Sequence, residues 1–353
     1  MDGSENKARL RVGLTRDFLE QAPDPWEMGL AWLKEEPGIE WKWLDRDGGE
    51  VEARQIGDLD AVIAWKTRWT KASLAGAGRL VLIARWGVGY DHLDISACTE
   101  AGVMVTITPE AVRRPVAAAN AAMILALATG LFHKNADARN GLWQKNCLAS
   151  PGIGLEGKTL GSLGFGNIAK ETFRLMRHFG MNFLAYSPSA RQEDGEPLGV
   201  RVTDFDTLIG ESDFLMINCP LNEKTRHLIG ERVLKRMKRR AYIINLSRGA
   251  IIDEKALVQA LESGAIAGAG LDVFEHEPID EQHPLCKMDQ VILTPHALAL
   301  TRDLYQGMAR QLSGAVRALK NGRIPPYVVN PEVLETERFR AKMRELRRRR
   351  GIH

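Results

Sequence analysis

The sequence predicts an α/β fold built on two parallel sheets, and two observations predict it. Short apolar runs alternate with amphipathic stretches nearly throughout the 353 residues, the pattern of βαβ units rather than of hairpins. The runs also fall into two series, separated by one long Ala-rich segment, "VAAANAAMILALATGLF", Val116 to Phe132.

Each element follows in order. "RLRVGLT", "IEWKWLD", "DAVIAW", "RLVLIARWG" and "VMVTIT" read as strands of a first sheet. The Ala-rich segment, from about Pro115 to Phe132, reads as a buried helix. "KTLGSLGF", "NFLAYS", "FLMINC", "AYIINLS", "AGAGLDVF" and "QVILTPHA" then read as strands of a second sheet. A last helix runs from roughly Thr301 to Lys320, and the Pro-rich "NGRIPPYVVNPEVL" reads as an extended return onto the first domain. The expected division is residues 1–114 plus 299–335 as one discontinuous domain, 115–298 as a second, and 336–353 as a basic tail.

Composition narrows the function. At 44% hydrophobic and 26% charged, the chain is globular in type. No apolar run approaches the ~20 residues of a membrane span. The opening "MDGSENKARLRVGLT" has no apolar core and no cleavage site, so neither a membrane partner nor a secretory signal is expected. Cys98, Cys147, Cys219 and Cys286 form no C-x-x-C pair, which argues against a disulfide scaffold or a zinc site and fits the cytoplasm. The net charge of +3 hides an asymmetry: from Arg338 onward there are eight Lys/Arg and one Glu, +7, which leaves −4 for the body. A nucleic-acid-binding fold carries its excess on the fold itself. This tail reads as a solvated, frayed helix end, with contact to a polyanion or a partner subunit as the other reading.

The most informative stretch is "KTLGSLGFGNIAKETFRLMRHFGMNFLAYSPSA". Its Gly164-Phe165-Gly166-Asn167-Ile168-Ala169 is G-x-G-x-x-A, with a strand before it and a helix after it. Gly164 permits the tight turn, Gly166 lets a pyrophosphate approach the backbone, and Ala169 lets helix and strand pack closely. The free N–H groups and the helix dipole attract the phosphates. The two sheets therefore read as Rossmann-like and flavodoxin-like domains with a cleft between them. The following strand ends "AYSPSAR", with Ser187 where an acid binding the adenosine ribose would stand. Without that acid a 2′-phosphate is not repelled, and Ser187, Ser189 and Arg191 are placed to receive one. The reading leans to NADP(H), with NAD(H) and a plain Ser187–ribose hydrogen bond left open.

Three successive strands of the second series end in ionisable residues. "INLSRGAIID" places Arg248 at the end of one, "LDVFEHEP" places Glu277 after the next, and "LTPHALAL" places His296 after the third. Open α/β sheets bind ligands at this carboxyl edge. A guanidinium fork suits a carboxylate, and a carboxylate beside an imidazole favours its charged form. A lone His behind an apolar strand is ordinarily a satisfied core residue; the convergence of three such groups favours chemistry.

The chain resembles the D-isomer-specific 2-hydroxyacid dehydrogenases, a family that includes glyoxylate/hydroxypyruvate reductases and phosphoglycerate dehydrogenases. The resemblance rests on "WGVGYDHLD", the nucleotide loop, "NLSRGAIIDEKALVQAL", "GAGLDVFEHEP", "HPL" and "LTPH", in that order. It implies an NAD(P)-dependent enzyme that interconverts a 2-keto acid and a D-2-hydroxy acid, acting as a homodimer. It implies that Arg248 holds the substrate carboxylate, His296 is the general acid–base, and Glu277 pairs with His296. Backbone N–H groups of Val88 and Gly89 would bind substrate, and Asp272 would hold the nicotinamide amide. Asn167, Ile168, Pro220, Leu246 and Ser247 would line the cofactor groove. Lys66 and Arg68, in the Trp-rich loop "AWKTRWT" with Trp65 and Trp69, fall where the family's substrate loop lies and are candidates for a second anionic group. The bulk of Ala297-Leu298-Ala299-Leu300 and the absence of an acid in "RRPVAAANAAM" depart from many members. The alternative reading is a non-catalytic, dinucleotide-sensing partner protein on the same fold.

Overall fold

The structure is a computed structural model that describes residues 8–21, 24–45, 49–142 and 151–352. Residues 1–7 of the opening segment and Cys147 lie outside the described residues. The chain forms two compact units, Met1–Val112 with Thr301–His353, and Arg113–Leu300.

The first unit is a parallel sheet of β1 (Leu10–Leu14), β2 (Ile39–Trp43), β3 (Ala61–Ala64), β4 (Leu82–Arg85) and β5 (Met104–Thr106). Its order, β2-β1-β3-β4-β5, is the flavodoxin-like one. The central strands read "AVIA" and "LIAR" without polar alternation because both faces are covered. The Pro-rich return docks on this sheet: Val329 N–H donates to Val105 O at 2.9 Å, and Val105 N–H donates to the buried Asn330 Oδ1 at 2.9 Å.

The second unit is a parallel sheet of β6 (Thr159–Leu163), β7 (Asn182–Tyr186), β8 (Val200–Val202), β9 (Phe214–Ile217), β10 (Tyr242–Asn245), β11 (Gly268–Leu271) and β12 (Val291–Leu293). The order is β12-β11-β10-β9-β6-β7-β8. The chain winds one way from β6 to β8 and the other way from β9, so the topological switch lies between β6 and β9. Successive residues feed opposite faces. Leu215 and Ile243 join one core cluster, while Phe214, Met216 and Ile244 join the other. Among the described strands, β8 alone escapes the sequence reading; "VRV" is a three-residue edge strand, too short to show a period.

Two other expectations change. The Ala-rich helix begins at Pro109, not near Pro115, and continues through Pro115 to Thr129. Gly130, at φ +63°, stops it, and a second helix, Leu131–Arg139, follows. At 21 residues it is long and apolar enough to cross a membrane by length and composition. Its packing is that of a core helix. Asn120 is fully buried, and Met123 and Leu127 lie over Gly270 of β11, where a Cβ would stand 2.3 Å from Met123 Cγ. Gly270 makes room for it.

The basic tail is not a frayed end. It forms the helix Glu337–Arg349, capped by Thr336, with Phe339, Met343 and Leu346 buried in the first unit. Each of its eight basic residues has an intramolecular partner. Arg349 meets the buried Asp60 at 3.0 Å, Arg347 and Arg350 donate to the carbonyls of Gly322 and Lys320, and Arg338 donates to that of Glu100. Arg340, Arg344 and Arg348 pair with Glu335, Glu337 and Glu345. Lys342 is buried and donates to Leu80 O and Ala101 O at 2.8 and 2.6 Å; burial pushes its ammonium down to about 7. Five of these eight residues, Arg338, Lys342, Arg347, Arg349 and Arg350, tie the helix to other segments, and the other three pair locally.

Candidate active site

Every group considered first lies at the carboxyl edge of the second sheet. Gly164 follows β6 at φ +102°, a conformation that favours glycine. A Cβ there would stand 2.7 Å from the carbonyl atoms of Asn218, beyond β9. Gly164 N–H donates to Tyr186 O at 2.7 Å, Ser162 Oγ donates to Gly164 O at 2.7 Å, and Asn218 Nδ2 donates to Ser162 Oγ at 3.0 Å. The turn is thus fixed across the switch point. Gly166 then opens the helix Asn167–Met176, whose first turn has no side-chain cap. A Cβ on Gly166 would meet nothing within 4 Å. Uncapped N–H groups facing open space fit a pyrophosphate. Buried Ala169 and Phe173 set the helix close against the sheet.

Ser187 follows β7 and is half-buried. The nearby Asp194 carboxylate accepts the backbone N–H of Arg191 at 2.9 Å. Among the described residues the exposed Arg191 guanidinium makes no ion pair, so Asp194 does not occupy it.

On the other side of the switch, β10 ends at Asn245, which is fully buried. Its Oδ1 accepts Ser247 N–H at 3.0 Å and its Nδ2 donates to Arg248 O at 2.9 Å. Ser247 Oγ donates to Cys219 O at 2.6 Å. One amide therefore holds both ends of the turn that presents Arg248. The Cys219 thiol is no nucleophile here: burial pushes it up to about 11. Gly249 is required by close approach, since a Cβ would stand 1.9 Å from Phe274 C.

Beyond β11, Asp272 is 4% exposed, and one of its oxygens accepts Thr294 Oγ1 at 2.6 Å, Ala297 N–H at 2.9 Å and Leu298 N–H at 3.1 Å. Those donors flank His296, which sits at φ +55°. A non-glycine residue in the left-handed region is strained, and such strain concentrates at functional sites. His296 Nδ1 lies 2.7 Å from Glu277 Oε2, and Glu277 Oε1 accepts Phe274 N–H at 3.2 Å. With Nδ1–H given to the carboxylate, the Nε2 side of the ring, about a third of which is exposed, is left for proton transfer.

Residues 121–297 match the family model of the D-isomer specific 2-hydroxyacid dehydrogenase, NAD binding domain. The chain is 39% identical over 315 residues to a glyoxylate reductase of Thermococcus litoralis, covering 87% of this chain and 95% of that protein. It is 38% identical over 338 residues to a glyoxylate reductase of Thermofilum pendens, covering 93% and 96%. The crystal structure of a glyoxylate reductase from Paecilomyes thermophila superposes with a TM-score of 0.76 at 29% identity, over 92% of this chain and 99% of that one. The chain belongs to the D-isomer-specific 2-hydroxyacid dehydrogenase family. It is an NAD(P)-dependent D-2-hydroxyacid dehydrogenase that takes a nicotinamide dinucleotide and a small 2-keto or 2-hydroxy acid.

The dehydrogenase's remaining candidates belong to the first unit. Lys66 and Arg68 follow β3, and Val88 and Gly89 lie beyond β4, all at that sheet's carboxyl edge. The buried Asp17 carboxylate accepts the N–H groups of Lys66 and Thr67 at 2.5 and 2.7 Å and so shapes their loop. Lys66 and Arg68 are exposed, whereas Trp65 and Trp69 are core residues. The sequence reading missed Asn245, Gly249 and the clamp by Asp272. Each left one trace: a single amide closing "YIIN", a glycine beside the Arg, and an acid closing "AGLD".

Proposed function

We propose that this dehydrogenase reduces glyoxylate, hydroxypyruvate or a similar small anionic 2-keto acid, with NADP(H) preferred over NAD(H). The observation that carries the proposal is the 2.7 Å pair of Glu277 and His296 on the sheet edge that also carries Arg248. The dinucleotide, when bound, supplies a hydride to the keto carbon. Its pyrophosphate would lie on the bare helix start at Gly166, Asn167 and Ile168. Ser187 would face the adenosine ribose, and Pro220, Leu246 and Ser247 would line the groove. The oxygen of Asp272 left over from the His296 clamp would hold the carboxamide.

In this reading Arg248 takes the substrate carboxylate in two parallel hydrogen bonds and draws charge toward the keto oxygen. As that oxygen becomes negative, His296 Nε2 gives it a proton, and Glu277 stabilises the imidazolium beforehand. The first unit's Val88 and Gly89 amides are assigned to the substrate, and Lys66 and Arg68 to any second anionic group on it. The names of the relatives, glyoxylate reductases along most of their length, support the substrate class.

The cofactor preference rests on Ser187 and the unpaired Arg191 guanidinium. A charge-assisted contact to a 2′-phosphate is worth about 1.5–3 kcal/mol, roughly tenfold or more in kcat/KM. The decisive experiment assays a panel of 2-keto acids with NADPH and NADH, for the wild type and Ser187→Asp. The expected result is turnover of glyoxylate or hydroxypyruvate, faster with NADPH, with the preference lost in Ser187→Asp. Equal or better use of NADH by the wild type makes Ser187 a ribose ligand only.

We also propose a cytoplasmic homodimer formed at the Ala-rich helix. The adjacent Leu131 and Phe132 side chains that follow it are 56% and 55% exposed, apolar surface that a second copy would cover. Sedimentation at twice 39.2 kDa is expected; a monomer at micromolar concentration overturns the dimer.

A further inference from the structure

Arg248 and Glu277 come from different segments, and an array of four ionisable side chains lies where those segments meet. Glu275 Oε1 accepts the N–H of Glu254 at 2.9 Å, and Glu254 Oε1 accepts the N–H of Glu275 at 2.5 Å. Each carboxylate thus holds the other's backbone. Glu275 Oε2 lies 3.0 Å from His227 Nε2, and His227 N–H donates to Ala250 O at 2.8 Å, with His227 at φ +52°. Glu254 Oε2 lies 3.7 Å from His283 Nε2. His283 Nδ1 accepts Leu285 N–H at 3.3 Å, so the neutral ring keeps its proton on the nitrogen facing Glu254. Burial, assisted by the Glu275 charge, lifts the Glu254 carboxyl above its ordinary value.

The array touches neither His296 nor Arg248 in these contacts, yet it stands one step from both. Glu254 begins the helix that follows the Arg248 turn. Glu275 lies next to Phe274, whose N–H is held by Glu277 and whose carbonyl presses on Gly249. Two carboxylates side by side and largely out of water are costly unless their geometry is used.

We propose that Glu275 is a positioning residue for the reaction. With Glu254 and His227 it holds the Phe274–Glu277 loop against the Arg248 turn, so that the Glu277–His296 pair keeps its register with Arg248. This rests on the reading of Arg248, Glu277 and His296 as the reacting set.

The test uses the full-length enzyme and the variants Glu275→Ala and Glu275→Gln. Four quantities are measured: kcat with glyoxylate, NADPH affinity, Tm, and the titration of His296 by histidine-selective NMR, assigned against His296→Gln. In Glu275→Ala, kcat should fall about tenfold or more while NADPH affinity stays within about twofold, because small misplacement of reacting groups is costly. The His296 titration should differ from that of the wild type, and Glu275→Gln, which keeps an oxygen for Glu254 N–H, should recover part of both effects. A lower Tm with wild-type kcat and an unmoved His296 titration overturns the proposal and leaves Glu275 a structural prop. If Glu275→Ala does not fold, Glu275→Gln decides by the same readouts. A wild type inactive on every 2-keto acid sinks the functional reading instead, and the His296 titration still decides the positioning.

Discussion

The proposed nucleotide loop and the proposed acid–base edge sit at the carboxyl ends of one sheet and are built from opposite materials. The loop is backbone: Gly164 and Gly166 clear space, and the helix start supplies N–H groups. The edge is side chain: Arg248, Glu277 and His296, each presented by a turn that a polar side chain pins, namely the buried Asn245, the half-buried Glu275 and the buried Asp272. A pyrophosphate has fixed charge, and fixed dipoles suffice to bind it. Proton transfer needs a titratable group held at one distance. The edge therefore carries buried polar groups whose burial is tolerable only because each is hydrogen-bonded.

The largest test of this contrast is His296→Ala. It should lower kcat by at least about a hundredfold, since general acid–base catalysis contributes roughly 10²–10⁴. Dinucleotide affinity, measured by fluorescence titration, should hardly change. A variant retaining a third of wild-type kcat ends the assignment. The converse test separates two glycines of the loop. Gly164→Ala puts a Cβ at 2.7 Å from backbone at a left-handed φ, so Tm should fall, with a strain cost of about 1–3 kcal/mol. Gly166→Ala meets only open space, so Tm should hold while cofactor Kd rises about tenfold, 1.4 kcal/mol. Equal loss of Tm in both would break the distinction between a glycine kept for the fold and one kept for the ligand.

The same contrast explains what was legible in the sequence. Backbone requirements force glycine at fixed offsets, so Gly164 and Gly166 could be read directly. Strand ends could be read too, which is why Arg248, Glu277 and His296 emerged together. Their supports could not. Nothing in the spacing says that Asp272 accepts from Ala297 and Leu298, or that Glu254 and Glu275 hold each other's backbone across 21 residues. Such pairings are long-range consequences of sheet order. The tail misled for a related reason. Its arginines count as free charge in the sequence, but Asp60, Gly322 and Lys320, which receive Arg349, Arg347 and Arg350, lie far away in the chain. The helix through Pro115 defeats a local rule, since a proline ordinarily marks a boundary.

A finer test concerns the charge on Glu277 rather than its shape. Glu277→Gln removes the charge that favours imidazolium, and its amide serves only one of the two partners, His296 Nδ1 and Phe274 N–H, as an acceptor. Reduction needs the charged ring. The alkaline fall of kcat/KM should therefore move to lower pH. An unmoved profile would mean that Glu277 positions His296 without tuning it, and the edge would then resemble the loop more closely than proposed.

The smallest effect is expected at Glu254, where the edge's reliance on buried charge is read as stability. Burial holds this carboxyl above its ordinary value of 4.5, the Glu275 charge acts in the same direction, and the Glu275 N–H, His283 and His276 oppose both. Between 4.5 and the folded value, the folded chain keeps a proton that the unfolded chain has released. Stability from this group is therefore present at low pH and falls as pH rises through the folded value. Glu254→Gln keeps an oxygen for the Glu275 N–H and carries no charge to bury. Its Tm should match the wild type near pH 4 and exceed it above pH 7 by about 2 °C, the scale of a sub-kcal/mol change in a chain of this size. Thermal melts at both pH values read the difference directly. A wild type that is the more stable at pH 8 would show that the N–H of Glu275 and the His283 imidazole outweigh burial. The edge would then hold its charges at no cost, as the loop holds its dipoles.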